Sequence, residues 1–96
     1  MTADEKRAVC KKKGYSVAYA EYWVRNPSCE VCHEEESIMP HHLQTRGAHG
    51  VNDEAWNLLA LGLRHDRMIH TIGDLQLGRQ VGGEVQKKIN AAKRKS

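Results

Sequence analysis

Apolar positions along the chain follow a helical period at both ends and a strand-like one in the middle. Residues 4–12 fit a short basic helix. Tyr15, Tyr19, Tyr22 and Trp23 fall at i, i+4, i+7 and i+8, which predicts one face of a helix over about residues 16–25. An aromatic face at that spacing belongs to a core rather than to a base-stacking platform. Asn26-Pro27-Ser28 ends this helix. Residues 38–43 read as a short strand, residues 44–52, with Gly47 and Gly50, as a loop, and residues 57–61 as a second short strand. Residues 64–71 then predict a helix that stops near Gly73. Residues 73–83 carry glycines at 73, 78, 82 and 83, and an irregular segment is expected there. Residues 84–95 predict a last helix with Val85, Ile89 and Ala92 on one face and a strongly basic opposite face. No internal repeat or low-complexity segment stands out. The expected class is α+β, one small strand–loop–strand–helix unit between terminal helices.

Composition narrows this picture. The chain has 96 residues, enough for one domain, and its hydrophobic fraction of 40% includes no Phe and two Trp. So modest a core often needs a metal or a partner chain. Three cysteines, an odd count, with a polar start at Thr2-Ala3-Asp4-Glu5 and no long apolar run, fit reduced thiols in a cytoplasmic protein with no membrane association. In that setting a C-x2-C pair points to metal or redox work. No thioredoxin-like strand–helix context surrounds the pair, which disfavours the redox option.

Charge is segregated. Residues 1–13 hold five bases against two acids, residues 14–86 five bases against ten acids, and residues 87–96 five bases and no acid. Basic ends would attract phosphates and an acidic, His-rich centre a cation. Taken alone, such ends read better as solvated tails, as charge runs usually are.

The centre carries the candidate chemistry. Cys29-Glu30-Val31-Cys32 is followed by Pro40-His41-His42-Leu43, then Asn57-Leu58-Leu59, then His65-Asp66 with His70. Hydrolysis of a phosphodiester requires water to be deprotonated beside phosphorus and charge to be neutralised on the phosphate. A neutral His serves the first need and a divalent metal the second. Side chains alternate across a strand, so His41 and His42 point to opposite sides and can divide these tasks. Periodicity alone does not decide which takes which. On a helix, positions 66 and 70 lie about 40° apart, and 65 and 70 about 140° apart. Asp66 and His70 can therefore share one metal, while His65 points elsewhere.

The ordered set resembles the HNH nuclease family. Its phage-type members run C-x2-C, then HH, an R-G-x-x-G loop, N-L, and a closing C-x2-H-H-x3-H. Here Arg46, Gly47 and Gly50 match the loop, and the resemblance covers about residues 25–75. It implies a ββα-metal (His-Me finger) core with flanking helices, and a metal-dependent endonuclease. It assigns the metal to His41, Asp66 and His70, the general base to His42, and to Asn57 the bracing of the loop that orients the base. It also assigns Cys29, Cys32 and His65 to a structural zinc knuckle.

Two positions depart from the family pattern. Asp66 stands where the family usually has His. A carboxylate favours hard cations, so Mg²⁺ or Mn²⁺ is the expected catalytic metal. Gly62 stands where the knuckle has its third Cys, which leaves three ligands. A fourth could come from His33, Cys10 or water; otherwise the site is empty and its cysteines act as small buried apolar residues.

Arg46, Arg64, Arg67, Lys87 and Lys88 are the candidate phosphate contacts, with Arg67 and the loop residue His49 also readable as plain surface positions. Such contacts grip backbone without reading sequence. The expected partner is DNA. A monomer would nick and a homodimer could cut both strands. The family's distribution suggests a phage, prophage or mobile-element setting in a bacterial cytoplasm, with packaging or recombination machinery as a further partner. The competing expectation is an HNH-fold DNA-binding module with an impaired metal site. The departures at Gly62 and Asp66 motivate it, and the intact His41, His42, Asn57 and His70 oppose it.

Overall fold

The computed structural model describes residues 1–44 and 53–95. It is mixed α/β and mostly helical. Helix α1 spans Ala3–Lys13 and α2 Val17–Arg25. Strand β1, His41–His42, pairs antiparallel with β2, Leu58–Leu59, in the register His41↔Leu59 and His42↔Leu58. A 3₁₀ turn at Ala55–Asn57 leads into β2, and α3 (Leu63–Ile72), α4 (Asp74–Val81) and α5 (Gly83–Arg94) follow.

Local chemistry sets the helix ends. Thr2 caps α1 in a reciprocal box with Glu5, and Gly14, at φ 84°, ends it. The Ser16 hydroxyl accepts the Tyr19 N–H and opens α2. Tyr19, Tyr22 and Trp23 are buried, as their spacing predicts. Tyr15 lies outside α2; it is 39% exposed and stacks on Tyr19 with ring centroids 4.3 Å apart.

The largest departure from expectation is residues 73–83, which are not irregular. They hold α4, an eight-residue helix with Leu77 and Gly78 buried. Gly73, Gly82 and Gly83 sit at its boundaries with positive φ and turn the chain there. Gly78 lies inside it and makes room for α5: a Cβ at this position would stand 3.4 Å from Ile89 Cδ1 and 3.5 Å from Gln86 Cα. The strands are shorter than the pattern suggests, because residues 38–40 and 60–61 run on without ladder pairing.

The core has two parts. One gathers Cys29, Leu43, Leu59, Leu61, Ile69, Leu77, Ile89 and Ala92. The other gathers Cys10, Tyr19, Ala20, Tyr22, Trp23, Leu58 and Ala60. Residues 58–61 are buried throughout and alternate between the two, as the two-residue period of an extended chain requires. Neither charged end is a free tail. α1 buries Cys10 and Lys6, and α5 buries Ile89 and Ala92.

Ile89 is fully buried and packs in the cluster with Leu77 of α4. Ile89→Ala should therefore cost about 2–5 kcal/mol, read as a lower urea midpoint with unchanged slope. A loss below about 1 kcal/mol would show that α5 is dispensable to the core.

Candidate metal centre

β1 and α3 build the centre between them. His41 comes from β1, and Asp66 and His70 from one face of α3. One ligand atom from each lies within 4.8 Å of the other two. The His41 and His70 rings meet edge to face, with centroids 5.1 Å apart. His70 Nδ1 lies 2.7 Å from the Asp66 carbonyl oxygen. A carbonyl only accepts, so Nδ1 carries the proton and Nε2 keeps the lone pair.

His41 is oriented by a residue that the sequence reading passed over. Its Nε2 donates to Asp74 Oδ1 at 3.1 Å, which leaves Nδ1 with the lone pair. Lys93 Nζ holds the other carboxylate oxygen of Asp74 at 2.7 Å and also donates to the Leu43 carbonyl at 2.5 Å. Burial raises the Asp74 pKa, but the hydrogen bonds from His41 and Lys93 outweigh it, and the carboxyl is held below its ordinary value. Asp74 opens α4, the helix masked by its flanking glycines. A Gly-Asp step at a helix start was the available signal.

His42 points the other way. Its Nε2 donates to Asp53 Oδ1 at 2.7 Å, which leaves Nδ1 free to accept. Asp53, also unforeseen, accepts from the Ser16 hydroxyl at 2.6 Å. The His42 ring stacks on Tyr19, centroids 5.3 Å apart. Burial pushes the Tyr19 phenol well up, so it stays protonated and donates to the Pro40 carbonyl at 2.6 Å. Tyr19, His41, His42, Asp66 and His70 line one open cleft of about 370 Å³.

Asn57 is fully buried and clamps the chain just beyond the histidines. Its Oδ1 accepts the Gln44 N–H at 2.6 Å, its Nδ2 donates to the Gln44 carbonyl at 3.0 Å, and its own carbonyl accepts the Leu43 N–H at 2.8 Å.

A second group, Cys29, Cys32 and His65, could bind a metal such as zinc; its ligand atoms also lie within 4.8 Å of one another. Cys29 Sγ is 3.6 Å from His65 Nδ1. His33, at φ 59°, reverses the chain after the pair. Cys29 N–H donates to the Glu35 carbonyl at 2.8 Å and closes the turn. The Cys32 thiol is held below its ordinary pKa, first by the backbone amides of Glu34 and Glu35, with smaller help from Cys29 and Arg64. Two of the fourth ligands considered from the sequence are not in this group. Cys10 is packed in the other core cluster, where burial pushes its thiol up, and His33 is exposed.

Among the candidate phosphate contacts, Arg64, Arg67 and Lys87 are exposed. Lys88 turns inward, 2.5 Å from Tyr22 Oη and 3.8 Å from Glu30, and burial lowers its pKa against the pull of Glu30. Arg46, Gly47, His49 and Gly50 lie outside the described residues. No helix among the described residues is long and apolar enough to cross a membrane. In comparisons with known proteins, no family model, curated protein or solved structure matches the chain.

The folded-state pKa of Asp74 lies below its unfolded value, so the stability it contributes is complete above the ordinary carboxylate range and fades as pH falls through the folded value. In chelator-treated protein, Asp74→Asn should cost about 1–3 kcal/mol at pH 7. It should also flatten the stability loss between about pH 5 and 3. Urea titrations at several pH values provide the check, and superimposable curves for the two proteins would mean that the carboxylate contributes nothing to the fold.

Proposed function

We propose that this protein is a metal-dependent DNA endonuclease of the HNH type. The observation that carries this reading is the convergence of His41, Asp66 and His70 in the same cleft as His42. In this reading β1, β2 and α3 are the ββα-metal core, and Asp66 makes Mg²⁺ or Mn²⁺ the catalytic ion. Bound by these three residues, such an ion would supply charge neutralisation on the scissile phosphate and its leaving oxygen.

The chain's own residues account for the rest. His42 Nδ1 takes a proton from water, and Asp53 on the opposite nitrogen fixes the tautomer and stabilises the imidazolium that forms. Tyr19 stacks beneath the ring and limits its rotation. Asn57 holds the Gln44 backbone and so the exit of β1, which keeps both histidines at one depth in the cleft. Asp74, fixed by Lys93, aims His41. Arg64, Arg67 and Lys87 offer exposed positive charge for phosphates, which suits contact with DNA backbone and not a particular sequence. The phage setting, a two-fold dimer and a packaging or recombination partner remain expectations attached to the resemblance.

Purified protein should convert supercoiled plasmid to nicked or linear DNA with Mg²⁺ or Mn²⁺ and not with chelator. His42→Ala should lower the rate about 10²–10⁴-fold and leave the salt-sensitive gel shift intact. Cutting with Ni²⁺ or Zn²⁺ but not with Mg²⁺ or Mn²⁺ would overturn the hard-cation assignment. A gel shift with no cutting by any ion would favour the binding module.

A further inference from the structure

We propose that Glu35 supplies the fourth ligand of the Cys29, Cys32 and His65 group, completing a zinc site of two thiolates, one imidazole and one carboxylate. This does not rest on the nuclease reading. It starts from the incomplete ligand set, because structural zinc is held by four closed ligands in a tetrahedron.

Gly62 locates the gap. It is the N-cap of α3, and His65 follows three residues later on the same side of the first turn. A side chain at position 62 would therefore project toward the space that His65 faces. That space is taken. A Cβ built on Gly62 would stand 2.6 Å from Glu35 Cβ and 3.0 Å from Glu35 Oε1. The Glu35 side chain fills the volume that a ligand from position 62 would use, and glycine at 62 is what admits it.

The filling atom, Glu35 Oε1, is buried, with a long ion pair to Arg64 and no hydrogen bond among the described residues. Arg64 Nε, 3.7 Å away, is beyond hydrogen-bond distance. A buried acceptor left unmet is costly, and a metal is a partner that would satisfy it. The backbone is already in place, since the knuckle turn ties the Glu35 carbonyl to the Cys29 N–H at 2.8 Å. As it lies, the Glu35 carboxylate stands outside the group whose ligand atoms are within 4.8 Å of one another, so the proposed site requires it to turn from Arg64 toward the sulfurs about its own side-chain bonds. Carboxylate oxygen is an ordinary zinc ligand, and the two sulfurs keep the site selective for soft or borderline ions over Mg²⁺. Binding releases the thiol protons to solvent.

The test uses the 96-residue chain with Zn²⁺ and with Co²⁺ as a spectroscopic probe, read by competition with a chromophoric chelator and by the cobalt absorption bands. Wild-type protein should bind one equivalent with a tetrahedral cobalt spectrum and two-thiolate charge-transfer intensity, a signature that the sulfur-free His41, Asp66 and His70 group cannot give. Glu35→Ala and the shape-preserving Glu35→Gln should each weaken zinc by more than about tenfold and alter the ligand-field bands. Glu35→Gly combined with Gly62→Cys, which removes the Cβ that a side chain at 62 would meet at 2.6 Å, should restore affinity and raise the charge-transfer intensity to that of three thiolates. Unchanged affinity and spectrum in both single variants would overturn the proposal, as would folded wild-type protein that takes up no zinc. Neither readout depends on DNA cleavage, so failure here leaves the nuclease reading standing, and the reverse also holds.

Discussion

The structure depends on burying residues 58–61 on both faces. Leu58 and Ala60 pack toward α1 and α2, and Leu59 and Leu61 toward α3, α4 and α5. An extended chain presents alternate residues to opposite sides, so four consecutive apolar residues can serve two clusters at once. With a hydrophobic fraction of 40% and no Phe, few other segments could join two helical layers. This central course fixes the depth of β1, its ladder partner, and through β1 the depth of both histidines.

Around that course the polar groups form two hydrogen-bonded relays. One runs from Lys93 through Asp74 to His41, the other from Ser16 through Asp53 to His42. Each ends on a ring nitrogen and so fixes which nitrogen keeps its lone pair. Neighbouring histidines thus receive separate supports from opposite ends of the chain, α5 for one and the start of α2 for the other. The separation follows from the strand, which sends adjacent side chains to opposite sides.

What the sequence made legible was what periodicity controls. The i, i+4 spacing of Asp66 and His70, the divergence of His65 from them and the burial of Tyr19, Tyr22 and Trp23 follow from local geometry, and the structure places them accordingly, while Tyr15 of the same expected face stays outside α2. Asp53 and Asp74 were not legible, because their meaning lies in contacts across 11 and 33 residues of chain that no local pattern encodes. Helix α4 was hidden for a different reason. Its boundary glycines and its packing glycine look alike in sequence, and only the approach of Gln86 and Ile89 tells Gly78 from the others. The inward turn of Lys88 was masked in the same way, since a lysine among lysines gives no sign of a buried Tyr22 and Glu30 beside it.

Lys93 touches both the Asp74 carboxylate, which holds His41, and the Leu43 carbonyl, one residue beyond His42. Synthesis runs from the N-terminus, so every proposed ligand of that group leaves the ribosome before the residue that steadies it. Until α5 docks, the Asp74 carboxylate and the Leu43 carbonyl lack their contacts with Lys93. The order of translation thereby places the final alignment of these side chains after the synthesis of α5.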